Sequence, residues 1–179
     1  SITGALAAVD GSALTGISAG ITMADQWRVT DNKSGSHNPI TGTWERNDRQ
    51  FSYIGSGMTQ SSGVFTFPST GKYLVINNAT ISTYGSDNAG VMTRISTDGG
   101  SNFTTAALAY MGGSATGMHS GVSFNFVDVT NTSNIKVRFK QDSLGTNSYV
   151  MGGSDYARST FTFIRIGDTS VSYTHLTLP

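Results

Sequence analysis

The chain has 179 residues, of which 11 are basic and 11 acidic, so its formal net charge is zero and nothing electrostatic draws it to nucleic acid or an anionic membrane. It contains no cysteine, which excludes a disulfide framework and a thiolate metal site, and no apolar run approaches the ~18 residues of a membrane-spanning helix. With 22 glycines, 24 serines and 24 threonines the composition favours short strands and turns, so the expected class is all-β: a sandwich with one substantial core plus an appendage.

Residues 1–24 are small and weakly polar, with glycines at 4, 11, 16 and 20 that would each cost a helix about 1 kcal/mol relative to alanine. An extended stalk or connector is expected there, with a disordered linker as the alternative. Residues 25–168 are expected to form the head. Gln26–Thr30 reads as a first strand and Thr43–Arg46 as a second, with Trp27 and Trp44 expected in the core.

The strongest signal is Gly63–Asn77. Two apolar runs rich in aromatic and β-branched residues flank Pro68-Ser69-Thr70-Gly71, the pattern of two strands meeting at a corner. Phe65 and Phe67 share one face, whereas Tyr73/Val75 and Leu74/Ile76 make the second strand apolar on both. A strand apolar on both faces is expected to be covered on both.

Beyond the corner, Val91–Ile95 and Phe103–Tyr110 flank Asp98-Gly99, a hairpin cue. Residues 111–121 are expected to form a loop. Val122/Phe124/Phe126 alternate with Ser123/Asn125, and Ile135/Val137/Phe139 alternate with Lys136/Arg138/Lys140, so each strand should bury its apolar set and wet its polar set. Ser159–Asp168 reads as a closing strand apolar on both faces, Phe161/Phe163 against Ile164/Ile166.

The order Gly63-x-Phe65-x-Phe67-Pro68-x-x-Gly71-x-Tyr73-x-Val75 resembles the start of the globular head shared by the q subcomponent of the first complement component and, more distantly, tumour necrosis factor. The resemblance covers roughly residues 45–168 and implies a ten-stranded jelly roll assembled as a homotrimer. It also implies that Tyr73, Val75, Phe161, Phe163, Ile164 and Ile166 lie at the trimer interface. The flanking sequence is most similar to versions that end bacteriophage tail fibres, and Leu6–Ile17 resembles a segment that recurs before such terminal domains. The expected setting is a virion appendage, extracellular after release, with a host surface glycan or protein and other virion tail proteins as partners. The start without methionine suggests the C-terminal piece of a longer protein. Residues 169–179 are expected to be a tail, and Ser172–Pro179 resembles translated sequencing-adapter sequence, with an ordinary terminal tail as the alternative.

Catalytic chemistry is not evident. The three histidines, His37, His119 and His175, fall in no nucleophile-elbow or zinc-helix motif, and the glycine-rich pieces lack the Lys-Ser/Thr of a phosphate loop. No cofactor is expected. Calcium suits loop carboxylates such as Asp87, Asp98, Asp128, Asp142 and Asp155, and some members of the resembled family bind it, but these residues have no ligand spacing and read better as turn formers. The tetrads Met111-Gly112-Gly113-Ser114 and Met151-Gly152-Gly153-Ser154 read either as mere turn composition or as two loops at one end of the barrel. Tyr110, His119 and Tyr156 beside them are the candidate ligand-binding residues, because sandwiches carry recognition on converging loops. Three readings stay open: a trimeric attachment domain at a fibre tip, a structural trimerisation cap or capsid decoration with no external ligand, and a secreted bacterial lectin-like adhesin.

Overall fold

A computed structural model describes residues 20–42, 44–49, 52–85, 87–112 and 116–169, and among these it is all-β. The strands in order are β1 Ala24–Val29, β2 Lys33–Ser34, β3 Trp44–Arg46, β4 Thr59–Ser61, β5 Val64–Thr66 and β6 Gly71–Thr83. They continue with β7 Asn88–Ser96, β8 Thr104–Gly112, β9 Gly117–Val129, β10 Lys136–Asp142, β11 Tyr149–Val150 and β12 Thr160–Gly167.

These strands make two sheets. The larger runs β2-β11-β6-β12-β1-β3, with β9 along the other edge of β6, and the smaller runs β4-β5-β10-β7-β8. β9 pairs with β6 over its whole length, so β12 and then β11 share the opposite edge, β12 against Lys72–Asn78 and β11 against Ile81 and Ser82. Ten strands were expected and twelve are found among the described residues. The difference is the two-residue pair β2/β11; without it two five-stranded sheets remain.

The Pro68 corner carries the chain from β5 in the smaller sheet to β6 in the larger. Gly71 is required there. Its φ is 147°, and a side chain would meet the Gly167 carbonyl at 2.8 Å. The chain enters the corner through a two-residue hairpin turn, Ser62-Gly63, with φ 50° and 81°, the mirror-image turn that matches strand twist. Thr59–Ser61 has no apolar residue, so no side-chain pattern marks β4 as a strand.

Between the sheets, Phe65, Phe67, Tyr73, Phe139, Phe161 and Phe163 are at most 2% exposed and stack on one another, with Phe139 and Phe161 centroids 4.3 Å apart. Trp44 stands edge-on to Phe65 and Phe161, and Trp27 edge-on to Phe65, so both tryptophans pack against this cluster. Edge-on contacts of this kind are worth about 0.5–1.5 kcal/mol each beyond the area they bury.

A polar lock holds the rim of the core. Asp25 is fully buried and accepts from Arg46 Nε at 2.9 Å, Trp27 Nε1 at 2.9 Å and the Met58 amide at 2.7 Å, tying β1 and β3 to the start of β4. On the other side of β1, Arg28 is 1% exposed and donates to Glu45 through Nε and Nη2. Met23 is buried and Ala24 opens β1, so the structured head starts slightly before the expected boundary at residue 25. Residues 1–19 and 170–179, with most of the expected stalk and tail, lie outside the described residues.

Two expectations are corrected. Much of the expected loop 111–121 is strand: β8 runs to Gly112 and β9 begins at Gly117. More telling, β9 carries its pattern inside out. Ser123 is buried and Asn125 faces inward, while Phe124 and Phe126 are 67% and 71% exposed. Alternation was read correctly, but the apolar set was assigned to the wrong side.

Candidate functional site

That inversion gives the larger sheet an apolar outer face. Because directly opposed residues in neighbouring strands point the same way, register turns the outward residues into rows. One row runs Phe126–Leu74–Ile164–Ala24 across β9, β6, β12 and β1. The next runs Phe124–Ile76–Thr162–Gln26, and a third Val122–Asn78–Thr160–Arg28, so the apolar character fades toward the Arg28 corner. Val122 is 59% and Ile166 52% exposed, beside the two phenylalanines. At the edge Lys72 pairs with Asp128 at 3.1 Å and, with Phe126, Val127 and Ile166, lines a shallow cleft.

Phe124 and Phe126 alone leave roughly 280 Å² of ring surface in water, taking about 200 Å² per phenylalanine. With Val122, Met118 and Ile166 added, the patch reaches the size that monomeric domains rarely leave uncovered. Covering those two rings would contribute about 7 kcal/mol per copy at about 25 cal/mol per Å².

The residues expected at a trimer interface divide between the two sides of the sheet. Ile164 and Ile166 lie on the outer face, with Leu74 and Ile76, which were not singled out. Tyr73, Val75, Phe161 and Phe163 are 0% exposed within one chain, where they form the core; a side chain with no exposed surface cannot touch a second copy. The sequence showed that β6 and β12 were apolar on both faces but not which face was inner.

The three expected ligand-binding residues are not brought together. Tyr110 lies on the outer side of the smaller sheet, its ring over Gly90 and its hydroxyl 2.7 Å from Ser143 Oγ. His119 is on β9, not in a loop, and points inward, its Nε2 buried without a partner among the described residues. Tyr156 sits beside the outer side of the larger sheet, 61% exposed, its hydroxyl accepting from Arg158 Nη2 at 2.7 Å. Met111 and Met151, which open the tetrads, do fall at one end, while Gly113 and Ser114 lie outside the described residues: the Met151 amide bonds Thr80 O at 2.8 Å, and Met111 abuts Gly121, the register partner of Ala79.

Tyr156 separates two clefts. One is lined by Thr80, Met118, Met151 and Arg158, the other by Arg28, Asn47, Arg49 and Asp155. An exposed ring with amide, guanidinium and carboxylate groups around it can stack on a sugar and hydrogen-bond its hydroxyls.

The five aspartates, of which Asp128 and Asp142 lie at the ends of β9 and β10 and not in loops, are each engaged by protein donors. Asp87 accepts from Ser148 and Gly145, Asp128 from Lys72, Asp142 from Lys140 and Asp155 from Arg49. Asp98 accepts from Ser96 Oγ and from the Asn102 amide and side chain, which holds its carboxyl down at about 2. Among the described residues no three histidine or carboxylate side chains cluster as metal ligands.

No family model matches the sequence, and no curated protein matches it. Solved structures do match in fold. A crystal structure of murine APRIL at pH 5.0 superposes with a TM-score of 0.61 at 12% identity, over 80% of this chain and 98% of that one. Eiger TNF from S. frugiperda gives 0.65 at 12% identity, over 87% and 99%. Two sheets and no helix among the described residues, with this similarity, make the fold a tumour-necrosis-factor-like jelly roll.

Proposed function

We propose that the chain is the homotrimeric head of a bacteriophage tail fibre or related virion appendage, which attaches the particle to a glycan or protein on the host surface. The observation that carries the trimer is the outer face of β9, β6 and β12. Its apolar rows have no cover among the described residues, while the inner face of β9 carries His119, Ser123 and Asn125 and turns apolar only at Val127 and Val129. Copies related by a three-fold axis supply that cover symmetrically and leave the Tyr156 clefts at the rim. The virion setting is supported by the resemblance to tail-fibre sequence of Leu6–Ile17 and of the sequence flanking the Gly63–Val75 motif. The role is binding, not catalysis.

The test uses the purified chain, fluorescently labelled, on a panel of bacterial strains. Saturable binding to some strains and not others, retained by the trimer, is the expected result. A trimer that binds no strain would replace the attachment reading with the structural cap. Monomeric binding would point to the secreted adhesin.

A further inference from the structure

The outer face of the smaller sheet carries a different chemistry. On β10 the outward residues are Lys136, Arg138 and Lys140, spaced about 7 Å apart by the strand repeat. Opposite Arg138 on β7 is Arg94, so two guanidinium groups face each other across a directly opposed pair, an arrangement that is destabilising by itself. Lys140 is paired with Asp142 at 2.8 Å, but among the described residues no carboxylate pairs with Arg94, Arg138 or Lys136. Lys136 Nζ donates to the Thr132 carbonyl and Thr66 Oγ1, and Arg94 to Asn38 Oδ1 and the Phe103 carbonyl, all neutral acceptors. Arg138 lies 4.0 Å over the Phe103 ring, and the Nε atoms of Arg94 and Arg138 are both shielded from solvent without an acceptor.

Burial and then the Arg94 charge lower the pKa of Arg138 from its ordinary value, as expected of a cation set beside a like charge without an anion. The nearest acid of the adjoining hairpin, Asp98, has both oxygens taken by Ser96 and Asn102. In a chain of zero net charge these cations are a local concentration and do not reflect overall composition.

We propose that Arg94 and Arg138, flanked by Lys136 and Lys140, bind the carboxylate or sulfate groups of an acidic polysaccharide laid along β10. Guanidinium forks suit such planar or multidentate oxyanions, and an open sheet face with cations in a row suits an extended polymer better than a small anion. Single-stranded nucleic acid is disfavoured because it stacks successive bases on several aromatic rings, whereas Tyr110 is a single partly exposed ring at the far end of the row and the Phe103 ring is only 8% exposed beneath Arg138. This face lies opposite the apolar rows, so assembly through them leaves it free. The inference rests on the attachment reading only in taking the ligand to be a surface polymer.

Titration calorimetry of the full chain with polygalacturonate and with dextran sulfate tests it, with an oligothymidylate as the competing probe. Binding to at least one polysaccharide, weakening as salt is raised, is expected. The double variant R94Q/R138Q should lose about tenfold or more in affinity, whereas R138K, which keeps the charge over Phe103, should lose less. Thermal melts confirm that each variant is folded. Dextran sulfate alone binding identifies sulfate as the group read, and polygalacturonate alone identifies carboxylate. No binding to either, tighter binding of the oligothymidylate, or unchanged affinity in R94Q/R138Q would overturn the proposal. Cell binding without polysaccharide binding would overturn this inference alone and leave the attachment reading standing.

Discussion

Serine at Phe126 distinguishes a face that is merely wet from one that another copy covers. In a single chain Phe126 is 71% exposed, so truncation removes only the buried part of a ring of about 200 Å², roughly 60 Å² or ~1.5 kcal/mol. If a neighbour covers the remainder, a further ~140 Å² per copy is at stake, about 3.5 kcal/mol per copy and about 10 kcal/mol per trimer. At 1.4 kcal/mol per tenfold, that lowers the trimer constant by roughly seven orders of magnitude, and the midpoint concentration of assembly moves by its square root, between three and four orders. Sedimentation velocity from sub-micromolar to hundred-micromolar chain should show Phe126→Ser dissociating where the parent does not, with the β-sheet circular dichroism retained. A variant that keeps the parent's mass across that range would refute the assignment of this face. Ile164→Asp, in the middle of the same row, should act in the same direction by placing an unpaired charge in a desolvated contact.

Asp25→Ala leaves the Arg46 guanidinium and the Met58 amide without their acceptor and should cost on the order of 3 kcal/mol in urea unfolding; a loss under ~1 kcal/mol would show that water replaces the carboxylate. Asp98 has a folded pKa of about 2 against an ordinary 3.8, so the stability it contributes is present above 3.8 and is lost as the pH falls through 2. Asp98→Asn should therefore differ from the parent at neutral pH and converge with it toward pH 2, and a difference in melting temperature that ignores pH would contradict this. Tyr156→Ala should weaken cell binding and leave the thermal midpoint unchanged, since its ring is mostly in water; normal binding by the variant would remove the Tyr156 clefts from recognition.

What could be read from the sequence was period and punctuation. The corner at Pro68–Gly71, the Asp98-Gly99 hairpin and the alternation in β10 were legible because turn chemistry and side-chain period are local properties. Which face of a strand is inner is not local. In β9 the rule that apolar residues go inside gave the wrong sense, because nothing among the described residues covers Phe124 and Phe126. In β6 and β12 the doubly apolar pattern was visible, yet Tyr73 and Phe161 could not be told from Leu74 and Ile164 without register. The Asp25 lock and the Arg94–Arg138 opposition were equally out of reach, since each joins residues brought together only by pairing of distant strands. Tyr110 precedes one of the two similar tetrads and Tyr156 follows the other, but strand path puts them on opposite sides of the sandwich.

The mass of the intact chain in solution, by multi-angle light scattering, tests the central claim most directly. The covered outer face predicts about 56 kDa, three times the 18.8 kDa chain, holding steady on dilution until assembly and folding are lost together. A soluble, folded species of 18.8 kDa that stays monomeric at high concentration would contradict it, because the Phe124 and Phe126 rows would then stand in water without any partner.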